Sequence, residues 1–264
     1  MTQRERRRFL IDYLLKEGGY ATNIPESEDE QRFLLRSLMN VREPLPARPE
    51  FLRVQDDYLR EVNKSHIITD SADLKPIDGF DTLNHRNDLY LWRGDITTLR
   101  VGAIVNAANS GMTGCWQPCH ACIDNCIHTF AGVQLRKVCA DIMQKQGHAE
   151  PTGSAKITPA FNLPCDFVIH TVGPIVSGKL TQEHCDLLAS CYKSCLDIAE
   201  KNSVKSIAFC CISTGVFRFP QEKAAEIAVS TVENWKNERK SDIKVIFNVF
   251  SEKDEAIYKK ALAF

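Results

Sequence analysis

The run Val105-Asn-Ala-Ala-Asn109-Ser-Gly-Met-Thr-Gly114-Cys115-Trp-Gln-Pro-Cys119-His120-Ala-Cys122-Ile-Asp124-Asn-Cys126-Ile-His128 decides how the rest of the chain is read. It is entered from Ala103-Ile104-Val105, an apolar run that predicts a buried strand. A loop of small residues follows over 106–114. Four cysteines and two histidines come next and lead into a helical pattern. Open α/β sheets bind ligands in loops that leave a buried strand and enter a helix. The Cys/His cluster therefore places a metal candidate beside a ligand candidate.

The spacing within the cluster is informative. Cys115, His120 and Cys122 form C-x4-H-x-C. Thiolate sulfur and imidazole nitrogen are the donors zinc favours, and three protein donors leave a fourth position for water or substrate. Cys119 and Cys126 are further candidates that would close the shell into a structural site. Thiols that only pack are the metal-free alternative.

Composition narrows the class. The chain has 264 residues, 44% of them hydrophobic, so it can bury a sizeable core. The formal net charge of −1 gives no field that would recruit nucleic acid or a membrane surface. Residues 1–10 are basic, but the apolar run after them is broken by Asp12 and Lys16, unlike a signal peptide. No stretch approaches the ~18 apolar residues of a membrane span. A cytoplasmic location is expected, with the 11 cysteines reduced.

Two units are expected. Residues 1–65 read as a helical extension, with helices over 2–17, from a Ser27-Glu-Asp-Glu30 capping box to 39, and over 51–62. Prolines 44, 46 and 49 form a stiff connector. From 66 to 264, strands and helices alternate. Strands are expected over 89–93, 102–105, 155–158, 167–172, 206–212 and 244–250. Helices are expected from an Asp124 N-cap to 146, and over 180–201, 221–235 and 252–262. The alternation implies a sheet covered by helices on both faces. Two glycine-bearing turns, 106–114 and 213–217, follow buried strands. Such turns form anion-binding nests, and a pair flanking one crevice suits a diphosphate.

Four segments carry a family resemblance. Gly94-Asp95-Ile96-Thr97, Val105-Asn-Ala-Ala-Asn109, Val168-Ile-His170-Thr-Val-Gly-Pro174 and Ile212-Ser-Thr-Gly215-Val216 resemble, in order and spacing, macrodomains of the MacroD type over residues 88–264. The resemblance implies a three-layer α/β/α fold with a mixed central sheet, which binds ADP-ribose and often removes it from modified proteins. One departure is informative. The glycine-rich loop of that type is replaced by Gly114-Cys-Trp-Gln-Pro-Cys-His-Ala-Cys122, as in the zinc-containing bacterial subclass, whose members share the helical extension. This implies one zinc ion per chain in the loop 114–124. It also implies a lipoyl carrier-like protein, modified by a sirtuin-type ADP-ribosyltransferase, as partner.

The resemblance assigns roles. Asp95 would accept a hydrogen bond from the adenine amino group, backed by Ile96; the residue reading makes Asp95 a turn former. Phe250 would stack on adenine, or else pack in the core. Ser213, Thr214, Gly215, Val216 and Phe217 would cradle the diphosphate. Asn109 would orient the distal ribose, or else satisfy its own loop. Asp124 would be helix cap and general base together. His128 reads as a satisfied structural histidine, or else as lining the site, and His170 as core. The expected function is a zinc-dependent hydrolase that removes mono-ADP-ribose, from acidic side chains by the family likeness. The alternatives are a non-catalytic ADP-ribose reader with a structural zinc, and a nucleic-acid binder.

Overall fold

Three helices come first: α1 (Gln3–Gly18), α2 (Glu28–Val41) and α3 (Pro49–Ser65). They are seen in a computed structural model that describes residues 1–76 and 88–262. Thr2 and Glu5 close a capping box on α1, and Gly19 ends it in the left-handed conformation. The box expected at Ser27 does not form, because Ser27 makes no side-chain cap bond. The acidic first turn of α2 instead complements the helix dipole, and Glu28 pairs with both Arg7 and Arg32. Leu10, Ile11, Leu35, Phe51, Val54 and Leu59 give these helices a core of their own, which Val133 also joins.

The sheet is built from β2 (Leu89–Arg93), β4 (Ala103–Ala108), β5 (Ala155–Pro159), β6 (Phe167–Val172), β7 (Ser206–Phe209) and β8 (Lys244–Val249). Two short strands, β1 (Thr69–Asp70) and β3 (Leu99–Arg100), pair separately. The six-stranded order is β2-β8-β7-β4-β6-β5, parallel except for the antiparallel edge strand β5. Ala103, Ile104 and Val105 are wholly buried, as a central parallel strand covered on both faces requires. The connecting helices are α4 (Ile123–Ala131), α5 (Val133–Gln146), α6 (Gln182–Lys201), α7 (Gln221–Arg239) and α8 (Glu252–Ala261). The result is the expected three-layer α/β/α architecture with a mixed sheet and N-terminal helices. Among the described residues, no helix is long and apolar enough to cross a membrane.

Three expectations are corrected. The single helix expected over 124–146 is two helices, broken at Gly132 (φ 100°). A side chain there would also press on Gln55, whose amide nitrogen lies 2.7 Å from the place of a Cβ. The strand expected over 206–212 ends at Phe209, because Cys211 already turns the chain, its carbonyl accepting from the Thr214 N–H and hydroxyl. Strand β4 runs past Val105 to Ala108, so Asn106 lies inside the sheet.

The topology sets the position of the site. From β4 the chain moves to the edge strand β5 and back to β6 on one side, then crosses to β7 on the other side of β4. Loops leaving β4 and β7 therefore part in opposite directions at the same sheet edge. Such a switch point opens a crevice at the carboxyl ends of parallel strands. The loops after β2, β6 and β8 reach that edge too, since these strands run parallel to β4 and β7.

Candidate functional site

The crevice is floored by β4. Asn106, within that strand, is wholly buried. Its side-chain amide donates to Asp124 Oδ1 at 2.8 Å and lies 3.1 Å from His170 Nδ1. Asn109, just past the strand, donates to Asp124 Oδ2 at 3.2 Å and to the Gly114 carbonyl at 3.1 Å, while its Oδ1 accepts the Gly111 N–H. Asn109 thus braces its own loop, as one of its two readings expects, and it also holds the acid, which neither reading anticipated. Asp124 lies in the first turn of α4 and is 5% exposed. It is not the N-cap. That position belongs to Cys122, whose sulfur accepts the Asn125 N–H. Burial pushes the Asp124 carboxyl up to about 6, against the opposing pull of Asn106, Arg136 and Asn109.

His128, one turn along α4, is buried, yet neither ring nitrogen has a hydrogen-bond partner among the described residues. This overturns its reading as a satisfied structural histidine. Burial holds its pKa well below the usual imidazole range, so its 3.6 Å approach to Asp124 joins a neutral ring to the acid and is not an ion pair. Gly114 is required here. Its φ is +83°, and a Cβ would stand 2.8 Å from the His128 ring. His170 is a core residue, as expected, bonded to Thr158 Oγ1 at 3.0 Å.

The donors of Cys115, His120 and Cys122 all lie within 4.8 Å of one another, and Cys115 Sγ is 3.6 Å from His120 Nδ1. Cys119 and Cys126 stand outside this trio. Cys119 Sγ faces Ser37 Oγ at 3.2 Å, and Cys126 Sγ lies 3.6 Å from Arg36. Burial, then the neighbouring Cys115, pushes the Cys122 thiol up to about 12. Two adjacent sulfurs become thiolates together only with a cation between them, so the chemistry of the trio fits a soft divalent metal. A second buried group, His128, Cys139 and His170, also clusters within 4.8 Å.

The loop after β7 leaves the sheet at the same end, beside the loop after β4. Its internal bonds use the N–H groups of Thr214, Arg218 and Phe219, and none uses those of Gly215, Val216 or Phe217. Ser213 sits at φ 65°, a conformation costly for a residue with a side chain, and its hydroxyl is buried without a hydrogen-bond partner among the described residues. Asp95, two residues past the end of β2, accepts the Thr97 N–H and hydroxyl through Oδ1, so the turn-forming role is present. Ile96 is buried in the main core. Phe250, at the end of β8, is 78% exposed and is not a core residue.

Several residues of the site escaped the reading of the sequence. Asn106 carried a signal: a polar residue inside an apolar strand has to be paired. Arg36, Asn40 and Arg136, which tie down the Cys/His loop, gave none, because each bond joins segments far apart in sequence, and Asn125, which bonds to the Gln117 carbonyl within the loop, carried no distinguishing pattern.

The Macro domain family model matches residues 105–228. A protein-ADP-ribose hydrolase of Treponema medium is 68% identical over 265 residues, covering 100% of both chains. A protein-ADP-ribose hydrolase of Staphylococcus aureus (strain MRSA252) is 52% identical, covering 95% of this chain and 94% of its own. The crystal structure of a Trypanosoma brucei macrodomain in complex with ADP-ribose superposes with a TM-score of 0.67 at 28% identity, over 90% of this chain and 97% of that one. Shared sequence along the full length, on a sheet with this strand order and this crevice, shows that the chain belongs to the protein-ADP-ribose hydrolase family of macrodomains.

Proposed function

We propose that this chain cleaves the bond between the distal ribose of ADP-ribose and an acidic side chain of a modified protein, with zinc held by Cys115, His120 and Cys122. One juxtaposition carries the reading. Asp124, buried and fixed by Asn106 and Asn109, lies two residues from the last donor of the Cys/His trio. The names of the full-length relatives support the activity, and the Trypanosoma brucei complex supports the ligand. Residues 1–65 form the helical unit of this enzyme and 66–264 its macrodomain. The cytoplasm is the proposed compartment, where the free thiols stay reduced. A lipoyl carrier-like protein modified by a sirtuin-type transferase is the substrate within the same proposal.

Binding proceeds from strand ends. The exposed Phe250 ring stacks on adenine, and the Asp95 carboxylate accepts the adenine amino group beside Ile96. The Ser213–Phe217 turn offers the N–H groups of Gly215, Val216 and Phe217 to the diphosphate. Asn109 orients the distal ribose. When bound, zinc supplies a Lewis acid and template for a distal-ribose hydroxyl or a water. Water oxygen then bonds to the anomeric carbon, as the bond from that carbon to the acceptor oxygen breaks. The electron pair leaves with the acceptor carboxylate, and the water proton passes to Asp124. The carbon carries oxocarbenium character on the way, as in glycoside hydrolysis generally.

The test is release of ADP-ribose from a mono-ADP-ribosylated protein by wild type, Asp124→Ala and Cys122→Ala, with metal content measured on each. Asp124→Ala is expected to lower turnover by about 100-fold or more while ADP-ribose binding survives. Cys122→Ala is expected to lose zinc and turnover together. Unchanged turnover in Asp124→Ala removes the acid from the mechanism. Binding without release by metal-loaded wild type turns the reading to a reader module.

A further inference from the structure

The metal loop makes few bonds within itself and is tied down from outside. Three residues of α2, within little more than one helical turn, supply the contacts. Arg36 Nη2 donates to the His120 carbonyl at 2.9 Å and to Asn125 Oδ1 at 2.9 Å, and it lies over Cys126 Sγ. Ser37 Oγ meets Cys119 Sγ at 3.2 Å. Asn40 Oδ1 accepts the Cys119 N–H at 2.9 Å, and its amide donates to Thr129 Oγ1 at 2.9 Å. Cys119 needs such a restraint, since its φ of 53° is left-handed without being a glycine.

Asn125 relays the grip of Arg36 into the loop. It is wholly buried, and its amide donates to the Gln117 carbonyl at 2.9 Å. Arg136 closes the frame from α5. Its Nε donates to the Thr113 carbonyl at 2.7 Å and its Nη1 to the Asn40 and Arg42 carbonyls at 2.6 and 2.9 Å, while the guanidinium lies 4.2 Å from the Trp116 ring centre. The C-terminal end of α2 and the loop are thus welded through one side chain.

We infer that α2 is the template of the metal loop, and that Arg36 and Asn40 are positioning residues that set the spacing of the Cys115, His120 and Cys122 donors. The inference rests on the reading of that trio as a metal site. Its physical basis is preorganisation. A loop that would otherwise sample many conformations is held with its donors gathered, so binding an ion costs little further ordering. The carbonyl of the donor His120 itself is fixed by Arg36. The N-terminal helices thereby act on the site without touching substrate.

The experiment uses the full chain. Zinc stoichiometry, zinc affinity by chelator competition and the absorption spectrum of the cobalt-loaded protein are measured for wild type, Cys122→Ser, Arg36→Ala, Arg36→Lys, Asn40→Ala and Arg32→Ala. Arg32 serves as control, because it pairs with Glu28 and Asp29 on the exposed side of the same helix. Arg36→Ala is expected to weaken zinc binding about 10–100-fold, the usual effect of losing an outer partner of a metal ligand. Its cobalt spectrum should shift, while ADP-ribose affinity stays within about twofold. Arg36→Lys, which keeps charge and donors, should recover part of the loss; it also carries the test if Arg36→Ala does not fold. Asn40→Ala should weaken zinc in the same direction, and Arg32→Ala should not. Wild-type zinc affinity and spectrum in both Arg36→Ala and Asn40→Ala overturn the inference while leaving the metal reading intact. A wild type that takes up no metal overturns that reading, and this inference with it.

Discussion

Asp124 is gripped through both oxygens by asparagines three residues apart, one inside β4 and one just past its end. Asn106 is the more consequential, because it also faces His170 and is wholly buried. Asn106→Ala is expected to destabilise the fold by about 1–3 kcal/mol, the cost of leaving buried polar groups unpaired, as read by urea unfolding. His170 gives a pH dependence with a definite sign. Burial depresses its pKa from the ordinary 6.5 to about 4, so the folded protein holds a neutral ring that the unfolded chain protonates first. Its contribution to stability is fully present above pH 6.5 and is lost as pH falls through 4. His128 acts in the same direction. Asp124, raised to about 6, acts oppositely, favouring the fold as pH falls from 6 toward 3.8. In His170→Gln, stability measured between pH 7 and pH 4 should fall less steeply than in wild type; an unchanged slope would show that the ring is not neutral in the native state.

At the scale of elements, the break between α4 and α5 matters most. A continuous helix is what the apolar spacing implies, and Gly132 prevents it. The first N–H of α5 is then capped from another segment altogether, by Gln55 Oε1 of α3 at 3.0 Å. Gly132→Ala adds a Cβ at a φ of 100° and against the Gln55 amide. It should cost more than about 1 kcal/mol, seen as a lower unfolding temperature with the midpoint shift confirmed in urea. A melting point at or above wild type would mean that the junction can relax. The local pattern identified α4 and α5 as helical but not as separate, since periodicity reports which faces are apolar and not where a backbone must bend.

At the scale of the molecule, the N-terminal helices are joined to the sheet unit by polar contacts as well as through Val133. Asp56 Oδ1 of α3 accepts from Gln134 and Asn162, and Asn63 donates to the Asn162 carbonyl at 2.7 Å. Asp56→Ala leaves several partly buried donors without their acceptor. It is expected to lower stability by about 1–3 kcal/mol, with far-UV and near-UV signals still moving in a single transition. Two separated transitions would show that the helical unit and the sheet unit unfold independently.

The strand and helix order, the sheet edge where the site loops meet, the Cys/His trio and the candidacy of Asn109 and Asp124 as separate site residues were all legible in the sequence. They rest on local spacing, and local spacing is what hydrophobic periodicity and donor chemistry record. Tertiary structure alone decided which cysteines leave the trio, that Asn106 completes the grip on Asp124, that His128 is buried without a hydrogen-bond partner among the described residues, and that α2 packs its Arg36, Ser37 and Asn40 against the Cys/His loop. Each of these depends on contacts between residues 18 to 90 positions apart, such as Asn106 with Asp124 and Arg36 with Cys126. Such contacts leave no periodic trace along the chain, because the partners meet only after the sheet has brought their segments to one edge.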